Sequence, residues 1–160
     1  MTSDIDRGSW KLRLLAALAM PQAREADRTL AALPYEVVGA SDPETIDTLM
    51  AVFTHRLDSS LLQSYVNALG SVPFDAYCSA YARNLPELLE KAPRWAVSLL
   101  DYPGSEMSLA QCAQLVAAVR GRDGGAALLD GLGSLIEDLR LSSEHPWSAI
   151  LRLPRRRGAG

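Results

Sequence analysis

The sequence is short of the side chains on which most enzyme and metal chemistry depends. It has two cysteines and two histidines in 160 residues. Cys78 and Cys112 stand 34 positions apart with no C-x-x-C pair. Neither has a histidine at ligand spacing, so both are expected as small buried apolar residues in a reducing, cytoplasmic setting. Aromatic residues are 6% of the chain. No apolar run approaches the ~18 residues that would suggest a membrane span. Sustained alternation of apolar and polar residues is missing too. Tyr35 to Val38 is the one plausible extended piece, and a β-sheet is not expected.

What remains is the composition of an ordinary globular domain, 48% hydrophobic and 22% charged, long enough to bury a core without disulfides or metal. The net charge of -3 hides an uneven distribution. Glu36 to Glu106 carries ten acidic residues against Arg56, Arg83, Lys91 and Arg94. The basic surplus sits at the end, in Arg152 and Arg155 to Arg157. Residues 1–154 are therefore expected as a single helical domain and 155–160 as a basic flexible tail. No aromatic or helical partner surface accompanies that tail, so nucleic-acid binding is not expected. Near the start, Arg7, Lys11 and Arg13 precede the apolar run Leu14 to Met20, which loosely mimics a signal sequence. Asp4 and Asp6 dilute its basic flank, and Leu14, Leu15 and Leu18 also fit one face of a first amphipathic helix, the favoured reading.

Helix starts recur along the chain. Ser41-Asp42-Pro43-Glu44 supplies a polar cap, a proline suited to the first turn and an acid near the positive end of the helix dipole. Ile46, Leu49, Met50, Phe53 and Leu57 then form one apolar stripe. Ser60 with Gln63 is expected to cap a helix through Leu62, Tyr65 and Leu69, stopped by Gly70 and Pro73. Phe74, Tyr77, Cys78, Tyr81 and Leu85 continue the periodicity up to Asn84-Leu85-Pro86-Glu87, where a kink or a restart is expected. Pro93 opens a segment ending at Tyr102-Pro103-Gly104. Ser108 with Gln111 caps the next helix, and Gly121 to Gly125 makes a turn. Leu128, Leu132, Leu135, Ile136 and Leu139 define a long helix in which Gly131 and Gly133 cost about 1 kcal/mol each relative to Ala and offer room for close helix approach. Ser143 opens a last short helix around Trp147. The expected fold is all-α, a compact array of antiparallel helix pairs, HEAT-like but irregular.

Catalytic constellations are thin. His55 lies beside an apolar stripe and reads as a hydrogen-bonded structural residue, and His145 precedes Pro146 at a helix start. Neither belongs to H-E-x-x-H, so no metal or other cofactor is expected. Ser71, Ser105 and Ser134 sit in no G-x-S-x-G elbow. Gly121 to Gly125 has neither a strand before it nor a Lys-Ser or Lys-Thr after it, so it is a turn and not a P-loop. Most carboxylates stand near helix ends, where capping and solvation account for them. Their excess in one stretch nevertheless leaves a negative surface that would steer a basic partner.

Met50-Ala51-Val52-Phe53-Thr54-His55-Arg56-Leu57-Asp58 and the stretch Tyr77 to Leu100, above all Leu85-Pro86-Glu87-Leu88-Leu89-Glu90-Lys91-Ala92-Pro93-Arg94-Trp95-Ala96, resemble small α-helical immunity proteins of bacterial polymorphic-toxin systems. The likeness covers about residues 40 to 105. After Leu100, Asp101-Tyr102-Pro103 replaces the basic-apolar-Asn ending of that family. The resemblance implies a non-enzymatic inhibitor that binds a cognate toxin inside the producing cell and occludes it. His55 and Trp95 match motif positions and are carried over as structural residues. The acids Glu36, Asp42, Glu44, Asp47, Asp58, Asp101 and Glu106 are the candidate partner-binding set, facing a basic protein toxin and neither a membrane nor a nucleic acid. A helical-repeat adaptor joining two other proteins would show the same periodicity. An enzyme using His55 with a nearby carboxylate is the remaining alternative.

Overall fold

In a computed structural model, residues 7–20, 24–55, 57–104 and 106–138 are described. Leu139, the expected helix around Trp147 and the tail 155–160 lie outside them. The described chain is all-helical. Its α-helices are α1 (Arg7–Ala19), α2 (Arg24–Ala32), α3 (Pro43–Ala51), α4 (Ser59–Leu69), α5 (Phe74–Lys91), α6 (Pro93–Ser98), α7 (Leu109–Arg120) and α8 (Gly125–Asp138). Short 3-10 turns at Leu33–Val37 and Val52–Thr54 complete the set.

The helix starts follow from local chemistry. Asp42 caps α3 by accepting from the Thr45 N–H at 3.0 Å, with Pro43 pre-set for the first turn. Ser108 and Gln111 close both halves of a capping box on α7. At α4 the capping residue is Asp58, not Ser60: its carboxylate takes the Ser60 N–H at 2.8 Å and the Ser60 hydroxyl at 2.7 Å. A carboxylate placed two residues earlier meets the orphan N–H groups first.

Three other expectations are revised. The stripe from Ile46 to Leu57 does not form one helix. The chain tightens after Ala51 into the Val52–Thr54 turn, where the Thr54 hydroxyl donates to the Ala51 carbonyl at 2.6 Å, a side-chain bond that competes with helix propagation. Tyr35 to Val38 is not extended, since all but Val38 lies in the 3-10 turn that begins at Leu33, with Pro34 in its first positions. Of the kink and the restart expected at Pro86, the restart does not occur. Pro86 lies inside α5, whose break comes at Ala92 before Pro93. The sequence pattern missed α2 altogether, a nine-residue helix that buries Ala26 and Leu30 one turn apart.

α5 runs for about 27 Å through the middle of the assembly. It packs on α3, α6, α7, α8 and the Val52–Thr54 turn, while α1 packs on α2 and α3. Tyr65, Tyr77, Tyr81, Phe53, Leu85 and Trp10 are fully buried in a single continuous core. Burial of each such side chain contributes on the order of 1.5–3 kcal/mol or more.

Buried irregular backbone is satisfied by aromatic donors. The hydroxyl of Tyr65 donates to Leu30 O at 2.8 Å, that of Tyr77 to Leu99 O at 2.6 Å and that of Tyr81 to Ala96 O at 2.6 Å. Trp10 Nε1 donates to Leu33 O at 2.9 Å. The carbonyls served lie in the last turns of α2 and α6 or just beyond them, where helical geometry leaves acceptors without intrahelical donors. Each ring thus buries apolar area and closes a helix end with the same side chain.

Candidate functional site

The seven candidate acids divide by what holds them. Asp47 is half-buried and spent between helices. Arg83 of α5 grips it with Nε and Nη2 at 3.0–3.1 Å, and Asn84 Nδ2 donates to it at 3.0 Å. Asp42 is half-buried as the α3 cap and also accepts from the Thr45 hydroxyl at 2.7 Å. These two carboxylates position α3 and offer little to a partner. Glu36, Glu44, Asp58, Asp101 and Glu106 are exposed. Glu36 forms a two-pronged pair with Arg13 at 2.8 and 3.1 Å, and Glu44 pairs with Lys11 at 3.0 Å. Pairs as exposed as these contribute about 0–1 kcal/mol, so their carboxylates exchange partners readily. At Asp58 the Ser60 N–H and then the Ser60 hydroxyl hold the carboxyl below its ordinary value.

Two segments meet the turn between α4 and α5, while the carboxylates of Glu36 and Glu44 face α1 through their pairs with Arg13 and Lys11. The Gly39 N–H, at the exit of the turn bearing Glu36, donates to Ser71 Oγ at 2.8 Å. The chain then enters α3, with Glu44 in its first turn. From the other side comes the segment between α6 and α7. The Tyr102 hydroxyl donates to Gly70 O at 3.0 Å and Val72 O at 2.5 Å, while its ring meets Phe74 and Tyr77 edge-on. The Tyr102 N–H donates to Met107 Sδ at 3.1 Å. Asp101 and Glu106 flank this strap. A Cβ on Gly70 would stand 2.8 Å from Pro103 O, so the backbones touch where only hydrogen fits. Asp58 belongs elsewhere. It caps the opposite end of α4, about 16 Å of helix away from Gly70.

The two motif stretches also meet. Phe53 and Trp95 pack with ring centroids 4.7 Å apart at 56°, which fits a structural role for Trp95. His55 differs from expectation: its side chain is exposed at the end of the Val52–Thr54 turn. The helix ends before the position that would have turned it inward.

Cys78 and Cys112 are buried free thiols. Burial, with a smaller push from Asp75, raises the Cys78 thiol to about 12, far from the thiolate that nucleophilic chemistry uses. Among the described residues, no three His, Cys, Asp or Glu side chains are grouped to hold a metal ion, and no helix is long and apolar enough to cross a membrane. A cleft of about 230 Å³ opens between α1 and α2, walled by Ala16, Ala17, Met20 and Ala26 and edged by Arg13, Glu25 and Thr29. It falls below the ~300–1,000 Å³ of usual small-molecule sites.

The partners of the acids were not legible in the sequence. Lys11, Arg13 and Arg83 lie 23 to 36 positions from the carboxylates they meet, and no helical spacing announces such pairs. Comparison with protein-family models, with curated proteins and with solved structures finds no match to this chain.

Proposed function

We propose that the chain is an immunity protein, acting in the cytoplasm of the producing cell, that neutralises a cognate toxin by covering it and performs no chemistry itself. The observation that carries this reading is the exposure of Glu36, Glu44, Asp58, Asp101 and Glu106, five of the seven candidate acids, which we read as one acidic edge. The resemblance of residues 50–58 and 77–100 to small helical immunity proteins supplies the partner class. Such an edge attracts a basic surface over a distance and raises its association rate. The half-buried Asp42 and Asp47 are spent on capping and anchoring α3.

Co-expression with the toxin encoded beside it is the direct test. Rescue of growth and a complex on size exclusion are expected, and failure of both overturns the reading. The edge is tested by reversing Glu44, Asp101 and Glu106 to lysine while leaving Asp42 and Asp47 intact. Association with the toxin should slow by about tenfold or more and lose much of its salt dependence. An unchanged rate assigns binding to another surface.

A further inference from the structure

The cations of α1 have no part in the function proposed above, yet they sit on two of its acids. Lys11 Nζ meets Glu44 Oε1 at 3.0 Å. Arg13 holds Glu36 with both prongs of its guanidinium, Nη1 to Oε1 at 3.1 Å and Nη2 to Oε2 at 2.8 Å. The partners stand 33 and 23 positions apart, so the fold makes these pairs and helical spacing does not. All four side chains are between 41% and 75% exposed.

The seat of α1 does not depend on these pairs. Trp10, Leu14 and Ala17 are buried, and Trp10 Nε1 donates to Leu33 O at 2.9 Å. A helix held by three buried side chains and a buried hydrogen bond keeps its place when exposed ion pairs, which contribute little, are broken. Lys11 and Arg13 are therefore able to leave the carboxylates while α1 stays on the core.

We propose that Lys11 and Arg13 are internal competitors for the basic partner: they occupy Glu36 and Glu44 in the unbound protein, and binding exchanges them for cations of the toxin. The inference rests on the immunity reading and adds a selection step to it. The pairs themselves define what replaces them. Both oxygens of Glu36 are engaged by one planar guanidinium, which only another arginine matches in full. Glu44 takes a single bond from an ammonium, so lysine or arginine serves there. A diffuse positive surface meets two carboxylates already neutralised at contact distance and gains little from them. A surface that presents an arginine to Glu36 and a second cation to Glu44 replaces both pairs at once, which favours the matched toxin over other basic proteins.

A hexaarginine peptide serves as the probe, titrated into the full chain and followed by the amide resonances of Glu36 and Glu44. The double variant Lys11→Gln, Arg13→Gln should bind it roughly three- to tenfold more tightly than the parent, the range open to two exposed pairs. Arg120→Gln, Arg122→Gln removes the same charge at the exposed end of α7 and should gain less than about twofold, since screening weakens its reach. Adding Glu36→Gln and Glu44→Gln to the first variant should abolish its gain. Equal gains in the two double variants, or none in either, overturn the proposal. So does a change in the helical spectrum or in the Trp10 indole resonance of the first variant, because α1 would then depend on its pairs. With the toxin, the first variant should associate faster by a similar factor, and an unchanged rate also overturns the proposal. Absence of any complex between parent and toxin overturns the immunity reading instead, and the peptide titration then decides by itself whether α1 competes at these carboxylates.

Discussion

The Phe53 and Trp95 rings, 42 positions apart in sequence, meet with centroids 4.7 Å apart and tie the turn after α3 to the short helix α6. Phe53 is fully buried, and Trp95 covers it from a half-buried position. Truncating Phe53 to alanine should cost about 3–5 kcal/mol, as large-to-small changes in a closed core do. Trp95→Ala should cost less, because part of the ring already faces water. A double-mutant cycle read by urea unfolding should return a coupling of about 0.5–1.5 kcal/mol. A coupling near zero would show that the rings merely adjoin.

Tyr65, Tyr77 and Tyr81 carry the second prediction. Replacing any of them with phenylalanine keeps the ring packing and removes the donor from a buried carbonyl. The expected loss is about 1–3 kcal/mol each, the penalty of an unsatisfied buried acceptor. Tyr102→Phe should behave differently. Its hydroxyl holds the strap bearing Asp101 and Glu106 onto Gly70 and Val72, so amide exchange should rise locally in the strap while the global midpoint moves little.

How much of this could be read beforehand depended on range. Asp42-Pro43 and the Ser108–Gln111 box act within one turn, and the sequence states both plainly. Stripes such as Ile46, Leu49 and Met50 repeat over several turns and identify buried faces equally well. α2 offered only Ala26 and Leu30 as buried anchors, too few to register as a period. The turn at Leu33–Val37 is shorter than any pattern that could separate a 3-10 turn from an extended strand. At the candidate site the acids were visible but their employment was not. Asp47 and Glu106 look alike in sequence, yet one is clamped by Arg83 and the other is exposed. Asp47→Ala should accordingly destabilise the fold by about 1–2 kcal/mol, leaving Arg83 half-buried without its partner. Glu106→Ala should stay within about 0.5 kcal/mol of the parent, and urea midpoints separate the two.

The buried thiols and phenols set the response to alkali. Burial holds Cys78 up to about 12 from an ordinary 9.0, with Asp75 adding to it. It also holds Tyr65, Tyr77 and Tyr81 well above their ordinary 10.0. The folded state therefore keeps these protons where the unfolded chain releases them. Their stabilisation is complete below the ordinary values and is lost as pH rises above them, by up to about 1.4 kcal/mol per group for each pH unit. Unfolding midpoints should be insensitive to these groups up to about pH 9, fall gently from there as the thiols respond, and fall steeply beyond about pH 10 as the phenols join. Cys78→Ala should flatten the first part of the decline and leave the second. A flat profile to about pH 12 would contradict the burial of these groups.

Glycine positions near the two ends of the last helices should respond in opposite directions. Gly133 lies inside α8, and a Cβ there would meet nothing within 4 Å; at Gly131 it would reach only Leu89 Cδ1 at 3.8 Å, an ordinary contact. Neither glycine is needed for close helix approach, contrary to what their spacing in the sequence suggests. Gly133→Ala should therefore stabilise the protein by about 0.5–1 kcal/mol, chiefly by restricting the unfolded chain. Gly125, at the start of the same helix, is the opposite case. Its Cβ would fall 2.1 Å from Val119 O and 2.9 Å from the Arg120 backbone, atoms that cannot move aside without unwinding the end of α7. Gly125→Ala should thus destabilise by more than Gly133→Ala stabilises. Thermal melts of the two single variants give the signs directly, and a stabilised Gly125→Ala would mean that α7 and α8 join less tightly than the turn at Gly121 to Gly124 requires.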